Sequence, residues 1–231
     1  MDILILHGWG LSSVNYKKLA ISLNTKKYRV YCPDLPGFGT AKIPEKPYDL
    51  DDYVNFIKQY VTKEKLGKFI LIGHSFGGRI ALRFAEFYPE KITKLILAGV
   101  PGVRTSLNKV YLFLIMSKIG RFFLYFPIFR PLLSITRKIV YKIIGTHDYE
   151  RTDGVMRETF KKVVKFDLVS TMMKIKVKTL LVWGEKDSIV PVWIGEKMSK
   201  NIINSKLAIV PNTSHNLPYK QPKQFIQYSN L

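Results

Sequence analysis

Lys68-Phe-Ile-Leu-Ile-Gly-His-Ser-Phe-Gly-Gly78 is the stretch that decides how this chain folds. Residues 68–73 form a short apolar run, the pattern of a strand buried on both faces. Residues 76–88 read as a helix that ends before Pro89. Between them, Gly73-His74-Ser75-Phe76-Gly77 matches G-x-S-x-G in the strand–turn–helix setting that the pattern requires. Such a turn forces Ser75 into a strained backbone conformation and lifts its hydroxyl above the sheet edge. Gly73 and Gly77 avoid a clash where strand and helix cross, and Gly78 lets the helix pack closely. The first helical amides then face any negative charge that develops there. An ordinary glycine-rich turn would share the spacing, and it is the flanking strand and helix that favour the chemical reading.

Outward from this turn, strand and helix signals alternate. Apolar runs at 2–6, 28–33, 93–99, 178–184 and 206–210 read as further strands. Helical spacing marks 13–24, through Tyr16, Leu19, Ala20 and Leu23, and about 51–65, through Tyr53, Val54, Ile57 and Val61. Short apolar strands separated by helices predict a mostly parallel, doubly wound sheet of about six strands. Residues 102–176 break the rhythm, with helix-like segments near 107–119, 132–144 and 155–165. We expect a core of 1–101 and 177–231 with a helical cap inserted at 102–176. The apolar runs of the insertion are interrupted by Lys118, Arg121 and Arg130, too short for the span of about 20 apolar residues that a bilayer needs.

A serine hydroxyl needs a base to become nucleophilic. The chain has four histidines. His74 adjoins the serine, so the turn should aim its ring away. His147 lies in the insertion. His7 follows the first strand, and His215 follows the last. In a parallel sheet the loops after the strands gather at one edge, which puts His7, Ser75 and His215 together there. The loop after 178–184 adds Asp187 to the same edge, as the carboxylate to hold the base's tautomer. Glu185 is its close competitor but falls nearer the strand end. Asp34 precedes the nucleophile and reads better as a turn-capping carboxylate. Two backbone N–H groups, of Phe76 and of Trp9 in His7-Gly8-Trp9-Gly10, are placed to hold an oxyanion. The Trp9 indole is either packing or pocket wall.

Composition bounds these readings. The chain has 231 residues, 47% hydrophobic and 13% aromatic, enough for a real core. One cysteine, Cys32, excludes an intramolecular disulfide and any cysteine-based zinc site. The opening residues lack a signal-peptide pattern, so a reducing, cytoplasmic setting is expected. The net charge of +20 is concentrated in the middle third and suits either plain solubility or an acidic partner.

These residues resemble the α/β-hydrolase superfamily, from His7-Gly-Trp-Gly10 through Asp34-Leu-Pro-Gly-Phe-Gly39, Gly73-His-Ser-Phe-Gly-Gly78 and Trp183-Gly-Glu-Lys-Asp187 to His215. The start and the insertion look most like the carboxylesterase branch that includes pimeloyl–acyl-carrier-protein methyl ester esterases. The resemblance implies a Ser75–His215–Asp187 triad in that chain order, oxyanion amides of Trp9 and Phe76, and no cofactor or metal. Serine at 75 argues against dehalogenase and epoxide-hydrolase relatives, which carry aspartate there. Family members usually have two strands before the one leading to the H-G motif, so a trimmed sheet is expected here.

The expected activity is hydrolysis of short- to medium-chain carboxylic esters through an acyl-enzyme. Trp9 with Tyr111, Met116 and Phe123 of the insertion are candidates for a substrate pocket. Those aromatics equally suit the cap's own core or a membrane-facing surface. An acidic acyl carrier protein or an anionic membrane surface would suit the basic cap as partner. A carbon–carbon bond hydrolase, a membrane-surface lipase and a non-catalytic ligand receptor remain as alternatives. Specific nucleic-acid binding is not expected, because the charge comes with no stacking-aromatic RNA motif and no zinc pattern.

Overall fold

The structure is a computed structural model that describes residues 1–103 and 153–231. These residues form one compact unit, Met1–Val103 with Asp153–Leu231. The chain order begins β1 (Asp2–Leu6), a 3-10 turn (Ser13–Tyr16), α1 (Lys17–Asn24), β2 (Arg29–Tyr31) and α2 (Leu50–Lys63). Then follow β3 (Phe69–His74), α3 (Phe76–Phe87) and β4 (Ile92–Ala98). From Asp153 onward come α4 (Gly154–Lys165), α5 (Val169–Lys174), β5 (Thr179–Gly184), α6 (Val192–Asn201), β6 (Ser205–Val210), α7 (Leu217–Lys220) and α8 (Pro222–Ser229).

The six strands form one sheet in the order β2-β1-β3-β4-β5-β6, and every neighbouring pair is parallel. The registers pair Leu6 with Gly73, His74 with Ala98 and Gly184 with Val210, so the strands end at a common edge. β1, β3 and β5 are buried throughout. Alternate side chains of each strand feed two cores, as the two-residue period of a strand requires. Leu4, Leu6, Phe69 and Leu71 join one cluster with residues of α2, α3, α4, α5 and α6. Ile3, Ile5, Ile70 and Ile72 join the other, with Tyr16, Leu19 and Leu23 and with Leu217, Phe225 and Ile226. The sheet is thus wound on both faces.

All six expected strands form. The strand expected over 28–33 forms only over Arg29–Tyr31, the residues that pair with Asp2–Leu4 of β1. Helix α2 begins where Asp49 accepts from the amides of Asp51 (2.9 Å) and Asp52 (3.0 Å), while Asp52 accepts from Asp49 N–H (2.9 Å). The helix expected over 13–24 opens instead as a 3-10 turn through Tyr16.

Most of the expected insertion lies outside the described residues. Its last part, from Asp153, forms α4 and α5 within the compact unit, because Met156, Val163, Leu168, Met172 and Ile175 are buried in the core cluster on the α3 face. Among the described residues, no helix is long and apolar enough to cross a membrane.

Candidate active site

Ser75 occupies the junction of β3 and α3 with φ 52° and ψ −115°. A positive φ at a residue with a Cβ is costly, on the order of 1–3 kcal/mol, and persists only where the surroundings enforce it. The enforcement is visible. Ser75 N–H donates to Ala98 O at 2.9 Å, tying the turn to the end of β4. A Cβ on Gly77 would stand 2.1 Å from Leu6 O, so only glycine lets α3 start against the end of β1. The amide of Phe76 is the first of α3, and the first amides of a helix have no intrahelical acceptor.

The loops after β5 and β6 bring Asp187 and His215 together. Asp187 Oδ2 lies 2.8 Å from His215 Nδ1, and both residues are buried. Asp187 Oδ1 accepts from the amides of Ile189 (3.0 Å) and Val190 (2.8 Å), which fixes the carboxylate. Glu185, the competitor in the same loop, instead accepts from Asn212 N–H at 2.9 Å. The pair packs on the residue after β4: a Cβ on Gly99 would lie 2.8 Å from His215 Nδ1 and 3.1 Å from Asp187 Oδ2. Ser75 is bonded to Ala98 and the His215–Asp187 pair rests on Gly99, so the three residues share one stretch of the sheet edge. Among the described residues, no hydrogen bond joins Ser75 Oγ to His215 Nε2.

The loop after β1 closes on the same point. A Cβ on Gly8 would come within 3.5 Å of Ser75 Cβ. Gly10, at φ 69°, turns the loop back, and Leu11 N–H donates to Gly8 O at 3.2 Å. The Trp9 indole is buried edge-on against Phe38 (4.8 Å), Phe76 (5.0 Å) and Phe160 of α4 (5.0 Å). Its ring therefore packs among aromatics of three other segments. Tyr111, Met116 and Phe123, together with His147, lie outside the described residues.

Two other histidines take roles that the sequence reading did not assign. His7 Nε2 accepts from Leu35 N–H at 2.9 Å, so Nδ1 carries the proton and donates to Gly8 O at 2.8 Å. Burial holds its pKa below the usual value, against smaller upward effects of Gly8 and Asp34. His7 thus fastens the end of β1 to the Asp34 turn. The His74 ring lies 4.9 Å from the His215 ring, and its Nε2 is 2.9 Å from His215 O. The reason is strand alternation: His74 follows Ile70 and Ile72 on one face of β3, the face against which Tyr16 packs.

Other reactive groups are occupied. Burial pushes the Cys32 thiol up to about 12, with Asp34 adding to it, so no thiolate forms near neutrality. Asp34 accepts from Ser13 N–H (2.6 Å), Thr40 N–H (2.8 Å) and the Thr40 hydroxyl (2.9 Å), the turn-capping role expected of it. Among the described residues, no three histidine, cysteine, aspartate or glutamate side chains gather in a group that could hold a metal ion.

Comparison with known proteins agrees with this architecture. The family described as the alpha/beta hydrolase fold matches residues 3–138, more than half of the chain. The chain is 27% identical to a pimeloyl-[acyl-carrier protein] methyl ester esterase of Shewanella woodyi, covering 93% of this chain and 86% of that protein. It is 26% identical to the monoacylglycerol lipase ABHD6 of Bos taurus, over 96% of this chain and 72% of the relative. In three dimensions it superposes on an esterase from Exiguobacterium antarcticum with a TM-score of 0.75 at 21% identity, covering 100% of this chain and 90% of that one. The parallel sheet, the strained serine turn and the family match lead to one conclusion: the chain belongs to the α/β-hydrolase fold family.

Proposed function

We propose that this protein is a serine carboxylesterase acting on short- to medium-chain esters, with Ser75 as nucleophile, His215 as base and Asp187 as the carboxylate that orients it. The observation that carries the reading is the strained turn at Ser75 beside a buried His215–Asp187 pair, all at one sheet edge. With Nδ1 engaged by Asp187, the proton-accepting nitrogen of His215 is Nε2. Hydrogen bonds between nucleophile and base are often long before substrate binds and tighten in the substrate complex.

The chemistry follows in two halves. Ser75 Oγ attacks the ester carbonyl carbon while its proton passes to His215 Nε2. The carbonyl oxygen gains the negative charge and is held by the amides of Trp9 and Phe76. Collapse breaks the bond to the alcohol oxygen, which leaves with the proton from Nε2. Water then attacks the acyl-enzyme, giving its proton to Nε2, and the acid departs as Ser75 recovers a proton. Asp187 stabilises the imidazolium in both halves. The relatives from Shewanella woodyi and Bos taurus bear names of ester-cleaving enzymes, which supports this class of substrate.

The test is labelling with a fluorophosphonate probe, with turnover of p-nitrophenyl esters of increasing acyl length. Wild type should label and turn over short to medium chains, and Ser75→Ala should do neither. Labelling that survives in Ser75→Ala would remove Ser75 as nucleophile. A labelled enzyme that cleaves no ester of the series would favour another reaction of the family, such as carbon–carbon bond hydrolysis.

A further inference from the structure

A single chain of hydrogen bonds crosses the interior beneath the site. Gly8 N–H donates to Tyr16 Oη at 3.2 Å. Tyr16 Oη lies 2.6 Å from His74 Nδ1, and His74 Nε2 lies 2.9 Å from His215 O. The direction of every bond is set by chemistry. A carbonyl oxygen only accepts, so His74 Nε2 carries the ring proton. Nδ1 of the neutral ring is then an acceptor, so the Tyr16 hydroxyl donates to it. That leaves the lone pairs of Tyr16 Oη for Gly8 N–H. Tyr16 and His74 are both buried to within 1%. Burial, chiefly, holds His74 well below the ordinary histidine value, with His215 pressing the same way, so the neutral ring is the state present. The Tyr219 ring packs against both, 5.9 Å from the His74 ring and 5.7 Å from the Tyr16 ring.

We infer that Tyr16 and His74 are positioning residues for the proposed reaction, holding the backbone of His215 in register with the Gly8–Trp9 loop. Two fixed points define the His215 imidazole: Asp187 grips its ring at Nδ1, and His74 grips its main chain at the carbonyl. The same relay ends on Gly8, the residue before Trp9, whose amide is proposed to hold the oxyanion. The base and one oxyanion donor, on loops far apart in the chain, are thereby referred to a common frame. A misplacement of about 1 Å in such groups costs on the order of a hundredfold in rate, so a relay that limits it acts on kcat. This inference rests on the serine-esterase reading.

The experiment compares Tyr16→Phe, His74→Gln and His74→Leu in the full chain with Ser75→Ala and wild type, using a p-nitrophenyl ester and thermal melting. Glutamine places an amide N–H near the position of histidine Nε2 and so retains the donor to His215 O, whereas leucine removes it. Tyr16→Phe should lose about tenfold in kcat with KM changed less than about twofold, while melting cooperatively. His74→Gln should recover most of the kcat that His74→Leu loses. A role in stability alone would lower the melting temperature and leave kcat of the folded enzyme at the wild-type value in all three, which overturns the inference. Should Tyr16→Phe fail to fold, the glutamine–leucine comparison decides, and equal kcat for the two overturns it. Ester turnover persisting in Ser75→Ala would instead sink the serine-esterase reading, whatever the relay variants do.

Discussion

Asp187 Oδ2 and His215 Nδ1 meet at 2.8 Å across two separate loops, and the residue that makes room for them is Gly99, at the end of a third strand. Gly99 has φ 54°, and a side chain there would press on both partners at once. The loop after β4 is therefore as much a part of this arrangement as the loops that carry Asp187 and His215. Each short loop at the sheet edge constrains the next, and changes at uncharged positions have correspondingly specific consequences.

Gly99→Ala should damage activity more than stability. Alanine at positive φ costs about 1–2 kcal/mol in the backbone, and its methyl must push His215 off Nδ1 contact with Asp187. Turnover of a p-nitrophenyl ester should fall by at least tenfold, while the protein still unfolds cooperatively in urea. Wild-type kcat in this variant would mean that the His215–Asp187 contact does not govern the rate.

Asp34 offers a pH-dependent stability signal away from the reacting groups. Partial burial works against its ionisation, but the hydrogen bonds from Thr40 and Ser13 outweigh that and bring its pKa to about 2. An unfolded aspartate titrates near 3.9. The folded value is the lower one, so the stabilisation is complete above about pH 4 and lost as pH falls toward 2. Asp34→Asn should thus be less stable than wild type at pH 6 in urea, and the gap should close on acidification through that window. A gap independent of pH would show that geometry, not charge, is what Asp34 supplies.

Arg79 of α3 holds α4 to the sheet. Its guanidinium is buried and donates to the carbonyls of Val163 (2.7 Å) and Phe166 (2.6 Å), and also to that of Pro101. The Val163 carbonyl belongs to the last turn of α4, where a cation is favoured by the helix dipole. Arg79→Met keeps most of the volume but leaves those carbonyls without their donor, and we expect a loss of about 3 kcal/mol in urea unfolding. Hydrogen exchange should accelerate first in α4. Unchanged stability would mean that water replaces the guanidinium at no cost.

The strands were legible because burial on both faces demands apolar side chains at every position, and such runs stand out in any reading. The serine turn was legible because only a short list of residues tolerates its geometry. Helix α6 escaped notice although Ile194, Met198 and Ile202 stand at helical spacing, so its signal was present and unused. Arg79, by contrast, carries no local mark of its role. Its acceptors, the carbonyls of Pro101, Val163 and Phe166, come within reach of α3 only in the folded chain.

By itself, the sequence determined the alternation of strands and helices, the strained turn and the chemical types available at the sheet edge, since these depend on side chains within a few positions of one another. Tertiary structure brought Asp187, the carboxylate the sequence favoured, against His215, and it alone decided that Gly99 must stay bare and that His74 faces Tyr16 and the His215 backbone. Those outcomes follow from strand order, register and the face each side chain takes, and these are settled by packing between segments that are remote in the chain.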